Sequence, residues 1–124
     1  MGNLETALKD AMAIEGAVGV AIVDYNSGLA LGTLGAGNEL DLNVAAAGNT
    51  DVVRAKMRTM EMLNLHNEVI EDILITLTGQ YHIIRPLTHQ GSQGIFLYLA
   101  LDRQRANLAM ARHLMRRIEA DLEV

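Results

Sequence analysis

Four histidines, His66, His82, His89 and His113, are the side chains best suited to ligate a metal or to move a proton near neutral pH. They fall on four different predicted elements and include no pair four residues apart, so no metal site is expected. Solvated or singly hydrogen-bonded imidazoles are the simpler outcome. Glu71 and Asp72 are adjacent in a predicted strand, where neighbours point to opposite faces, and so do not form an acid/base couple. Gly32, Gly35 and Gly37 follow a strand and precede a helix, as a phosphate cradle does, but they match neither GxxxxGK[ST] nor GxGxxG, and no Lys follows. A flexible loop is the reading there, and Asp24 reads as turn chemistry. With no cysteine, disulfides, thiolate zinc sites and cysteine nucleophiles are all removed. No catalytic residue, metal ligand or cofactor site is expected, and the chain is not read as an enzyme.

Cations remain as candidates for recognition. Arg54 and Arg58 lie on the polar arc of a predicted middle helix, and Arg105, Arg112 and Arg116 line one face of a predicted last helix. An ordinary solvated face accounts for them, with Arg116 and Glu119 as a weak helical pair. A partner-docking rim is the functional reading, because Arg is enriched at interfaces.

Composition narrows the partners. Ten basic against fifteen acidic residues give a formal net charge of −5, which works against a polyanion such as nucleic acid. One Phe, three Tyr and no Trp supply no stacking platform for single strands. The longest apolar runs, residues 17–23 and 95–101, fall far below the ~20 residues that a membrane span needs. The start, Met1-Gly2-Asn3-Leu4-Glu5, lacks the basic and apolar regions of a secretion signal, and with no cysteine the cytoplasm is the expected compartment. A single domain over residues 1–124 is expected, and hydrophobic residues at 50% provide ample core.

The elements that must position these residues follow from periodicity. Leu4, Ala7, Leu8, Ala11 and Met12 recur at helical spacing, with Asn3 placed to cap the helix and Gly16 to end it. Residues 17–23 and 29–34 are apolar strands joined through Asp24-Tyr25-Asn26-Ser27-Gly28, a hairpin. A long helix over about Asp41 to Leu65 follows, its cap left open between Asn43 and Asn49 because Gly48-Asn49-Thr50 weakens the first turns. Three strands come next, Val69 to Leu77, Tyr81 to Leu87 and Ile95 to Leu101, with Pro86 near a strand end where its missing N–H matters least. Asp102 is placed to cap a last helix striped by Leu108, Ala111, Met115, Ile118 and Leu122. The order α-ββ-α-βββ-α predicts an α/β (α+β) fold. It has a five-stranded antiparallel sheet, the two terminal helices on one face and the middle helix on the other.

The middle helix is the informative one. On a wheel of 100° per residue, Thr50, Asp51, Arg54, Arg58 and Glu61 share a water-facing arc. Val44, Gly48, Val52, Ala55, Met62 and Leu63 form one apolar patch, and Ala46, Val53, Met57 and Met60 form another. Together the patches cover about 220° of the helix, roughly twice what docking on one sheet requires. A tail or loop covering the excess is the simpler reading, but no spare segment is obvious, and a second copy across a two-fold axis is the preferred expectation. Which patch faces the sheet is not fixed by the pattern. Val53, Met57 and Met60 are placed at the dimer surface, where the flexible thioethers of the two methionines suit irregular gaps. Val69, Ile73, Ile75 and Leu77 join them, since they alternate along a strand in which only Glu71 and Asp72 resemble edge-blunting charges. Arg54, Arg58 and Glu61 are the candidate partner-binding residues.

The hairpin GVAIVDYNSGLALG, the segment IEDILITLTGQYHIIRPL and the closing FLYLALDRQRANLAMARHLMRRIEADL resemble the roadblock / dynein light chain family, in particular its stand-alone bacterial, MglB-like members. The resemblance spans essentially the whole chain in the family's element order. Its most specific pieces are the strand, Asp24 and Gly28 of the first hairpin, and the junction from Asp102 to Leu108 with Ala106-Asn107-Leu108 in the first turns of the last helix. It implies a dimer whose two sheets join into one, with the two middle helices antiparallel on a face. It also implies a Ras-like small GTPase as partner, with hydrolysis stimulated by reshaping the GTPase, or a scaffolding role in motor or signalling complexes. The competing expectation is a small-ligand-binding sensory module, which needs convergent polar groups that the sequence does not display.

Overall fold

In the computed structural model, which describes residues 3–88 and 94–122, eight elements succeed one another. They are α1 (Leu4–Met12), β1 (Ala17–Asp24), β2 (Leu29–Gly35), α2 (Leu42–Met62), β3 (Ile73–Thr76), β4 (Gln80–Pro86), β5 (Ile95–Asp102) and α3 (Leu108–Asp121). The strands form one sheet in the order β2-β1-β5-β4-β3, with every neighbouring pair antiparallel. Strand β5 is central and apolar up to Leu101, because both of its faces are covered: residues 95–101 are all buried. Its Leu97, Leu99 and Leu101 join Val20 and Ile22 beneath Leu8, Ala11, Met115 and Leu122 of the terminal helices. Its Phe96, Tyr98 and Ala100 join Ala21 and Val23 beneath Leu42, Ala46 and Val53 of α2.

Local chemistry sets the ends of the elements. Asp24 Oδ1 accepts from Asn26 N at 2.8 Å, and Gly28, at φ +80°, lets its own N–H reach Asp24 O at 2.7 Å, which closes the first hairpin. Helix α2 is capped by Asp41, not by Asn43 or Asn49, since Asp41 Oδ1 accepts from Asn43 N at 3.0 Å and Val44 N at 3.2 Å. Asn3 makes no cap bond; its Nδ2 donates to Asp121 O at 2.6 Å and ties α1 to the end of α3. The last helix starts at Leu108 and is capped by Asn107, whose Oδ1 accepts from Met110 N at 3.0 Å. Asp102 is still the final residue of β5, paired with Gln80, and its side chain instead closes a turn onto Gln104 N at 3.0 Å.

Strand β3 is shorter than the run from Val69 to Leu77 predicts, and Pro86 explains the difference. Leu77 N donates to Gln80 O at 2.8 Å, so the odd residues of β3 exchange hydrogen bonds with the even residues of β4. Extending the register beyond Ile73 and Ile84 would set residue 71 against Pro86, which has no N–H to give. The ladder therefore stops at Ile73. The same alternation turns the N–H and C=O groups of Leu74 and Thr76 away from β4, towards the sheet margin.

The opposite margin is irregular. Strand β2 carries a bulge: Ile22 pairs with Gly32 and Val23 with Ala30, leaving Leu31 as the extra residue. On the terminal-helix side, Arg85 and Glu119 form a buried ion pair at 2.5 Å, and Thr88 N and Oγ1 donate to the other carboxylate oxygen at 3.5 and 3.4 Å. This cluster fastens α3 to β4.

Candidate partner interface

Helix α2 presents two apolar sides, and the structure separates them. Ala46 and Val53 are fully buried on the sheet, and Met57 packs partly against the same core. Val53 therefore does not belong to a surface for a second molecule, contrary to its placement at a dimer contact: its whole side chain is used inside the protomer. Met57 and Met60 keep partial exposure along one margin of this contact. The exposed side is the other patch, with Val44 at 66%, Met62 at 70% and Leu63 at 59% accessible.

Thr50 masks this arrangement in the sequence. It sits on the polar arc of the wheel yet is buried, because its Oγ1 donates to Ala46 O at 2.7 Å and so needs no water. Once Thr50 is counted as satisfied, Leu42, Ala46, Thr50, Val53 and Met57 become one continuous stripe, and Val44, Val52, Met62 and Leu63 are left outside. A hydroxyl four residues after a helical carbonyl is the signal that could have distinguished the two patches.

At Val52 the exposed side of α2 borders the approach to β3. Between them runs a groove of about 590 Å³, with Val52, Lys56, Met60, Leu65, Val69 and Ile73 in its walls. Val69 is 68% accessible, and Leu77, at the far end of β3, is also exposed. Ile73 and Ile75 point to the α2 face of the sheet and are half-buried. The structure thus brings Val69, Ile73, Ile75, Leu77 and Met60 together with Val52 on one side of the molecule. The free backbone groups of Leu74 and Thr76 border the same region.

Arg54, Arg58 and Glu61 all lie exposed on α2, on the side of the helix away from this groove. The cations of α3 divide. Arg112 is committed to Asp72 through two bonds of 2.8 Å and Arg116 is exposed, whereas Arg105, also exposed, lies in the turn before the helix and not on its face as the spacing predicts. Asp72 and Glu71 precede β3 rather than lying in it.

Of the four histidines, His82 is held on the α2 face between Gln80 Oε1 at 2.7 Å and Tyr98 OH at 3.2 Å. A neutral ring protonated at Nε2 satisfies both contacts, donating to Gln80 and accepting from Tyr98. Burial lowers the His82 pKa below its ordinary value and pushes the Tyr98 hydroxyl up to about 12. His66 and His113 are exposed, and His89 lies outside the described residues. Among the described residues no group of His, Asp and Glu is arranged to hold a metal ion, and no helix is long and apolar enough to cross a membrane.

No family model matches the sequence, and no curated protein matches it either. Solved structures do match its fold. A Roadblock/LC7 domain from Streptomyces avermitilis superimposes with a TM-score of 0.73 at 12% identity, covering 93% of this chain and 90% of that one. MglB of Myxococcus xanthus gives a TM-score of 0.72 at 18% identity, covering 94% of this chain and 78% of its own. A further structure, MglB with a tetrameric arrangement, gives 0.74 at 14% identity over 93% and 81%. The three helices and the strand order β2-β1-β5-β4-β3 are those of the roadblock fold.

Proposed function

Taking the roadblock fold as the premise, we propose that this chain is a non-catalytic homodimeric regulator or scaffold for a Ras-like small GTPase. The observation that carries the reading is the convergence, on one side of the protomer, of an unpaired strand margin with the surplus apolar flank of α2. A two-fold axis beside β3 pairs that strand with its copy and lays the two α2 flanks against each other. Both liabilities are removed at once.

The register follows from the outward groups. Leu74 and Thr76 must bond across the join, and setting Leu74 opposite Thr76 of the second copy places Ile75 opposite Ile75 and Ile73 opposite Leu77. Every cross-strand pair on the α2 face is then apolar. Val69, Ile73, Ile75 and Leu77 form the strand side of this interface. Val52, Met62 and Leu63 form its helical side, with Met57 and Met60 at the margin.

Arg54, Arg58 and Glu61 remain uncovered in this dimer and form the proposed GTPase-facing surface, in keeping with the resemblance to MglB-like proteins. GTP hydrolysis would be stimulated, where it is, by holding the GTPase in its active shape, since none of these residues belongs to a catalytic constellation. Sedimentation equilibrium at micromolar concentration, followed by capture of a Ras-like GTPase from native lysate with nucleotide present, tests the reading. Changing both Arg54 and Arg58 to Glu is expected to abolish capture while the dimer persists. Retained capture refutes the docking surface, and a monomeric wild type refutes the dimer.

A further inference from the structure

Strand β3 has four residues and only one neighbour in the sheet, yet both of its ends are held by arginines that reach across from the chain following β5. At the leading end, Arg112 of α3 grips Asp72 with Nε and Nη2, each at 2.8 Å from a different carboxylate oxygen. The Asp72 carboxylate is only 7% accessible, and the pair stands where Pro86 has removed the next backbone bond of the ladder. At the trailing end, Arg103 Nη1 donates to Leu77 O at 3.0 Å. The same guanidinium lies 5.3 Å from the centre of the Tyr81 ring, and Arg103 N donates to Gly79 O at 3.1 Å. Neither arginine reaches the α2 flank, and Arg112 acts from the opposite face of the sheet.

Resting on the dimer reading above, we infer that Arg112 and Arg103 are positioning residues for self-association, two clips that hold β3 ready to receive its copy. The segment 67–72 leading into β3 has no ladder of its own. Without the Arg112 clip it must be ordered when the copies meet, and that cost falls on the association constant. With both clips in place, Leu74 and Thr76 already face outward in a straight line before any encounter. The effect counts twice, once in each protomer.

The test compares dimer dissociation constants by sedimentation equilibrium for wild type, Arg112→Ala, Arg103→Ala and Arg112→Lys, with hydrogen exchange followed at the amides of Leu74, Thr76 and central β5. Loss of one charge-assisted contact per protomer is expected to weaken the dimer by about tenfold to a hundredfold. Protection should fall at Leu74 and Thr76 and persist in β5. Arg112→Lys, which keeps one bond to Asp72, is expected to recover part of the affinity. If Arg112→Ala also loses protection in β5, Arg103→Ala decides, because Arg103 lies outside the α3 packing. Wild-type affinity in a folded Arg103→Ala or Arg112→Ala variant overturns the clips while leaving the dimer standing. A wild type that stays monomeric overturns both.

Discussion

A single cysteine at position 75 reads the join between copies directly. The chain has no cysteine of its own, so any disulfide in the Ile75→Cys variant links two molecules. In the proposed register, residue 75 faces itself in a non-hydrogen-bonded antiparallel pair, for which the Cα atoms stand about 4.5 Å apart. That distance lies within the range of about 4.4 to 6.8 Å that a disulfide spans. Residue 73 faces residue 77, so the two copies of position 73 are offset by four residues, about 14 Å at roughly 3.4 Å per residue. Mild oxidation at micromolar protein, followed by non-reducing electrophoresis, should convert Ile75→Cys to a covalent dimer and leave Ile73→Cys monomeric. Crosslinking of Ile73→Cys at an equal rate would refute the register. Absence of crosslinking in Ile75→Cys, in a protein that sediments as a dimer, would exclude this register, leaving a shifted pairing of β3 or an interface elsewhere.

The two sides of α2 should respond oppositely to substitution. Val53→Ala is expected to lower unfolding stability by about 1 to 3 kcal/mol through lost contacts and a cavity, with the dimer constant little changed. Val52→Asp should instead abolish the dimer while the protomer unfolds near the wild-type denaturant midpoint, and equal effects on both properties would contradict the assignment of the two faces. The third prediction concerns pH. Because burial sets the folded pKa of His82 below 6.5, the unfolded chain takes up the proton first as pH falls. The stabilisation is complete above pH 6.5 and is lost as pH drops through that value towards the folded pKa. Urea midpoints should therefore fall less between pH 7.5 and 5.5 in His82→Gln than in wild type, and identical falls would exclude the His82 contribution.

Much of the architecture was legible from alternation and turn chemistry. The run from Ile95 to Leu101 marked a strand, and Asp24 with Gly28 marked the first hairpin. Less legible were features set by a partner distant in sequence. Pro86 shortens β3 from a neighbouring strand, and Asn3 serves Asp121 rather than its own helix. The surplus of apolar surface on α2 was visible in the sequence, but its division was not. Thr50 looked like a water-facing residue until its bond to Ala46 O placed it in the core, which brought Val53 inward and left Val52 outside. The arginines of α3 looked alike by spacing, and only the geometry distinguishes Arg112, engaged with Asp72, from the exposed Arg116.

The unequal margins of the sheet bear on how large an assembly can grow by strand addition. One rim is straight, and the other is kinked where Leu31 has no counterpart. Joining two copies through the straight rims consumes them and leaves only kinked ones at the extremities of a ten-stranded ribbon. Further molecules then meet a surface with which a regular strand cannot keep step. In the proposed dimer, strand addition would thereby stop at a pair instead of continuing into fibres.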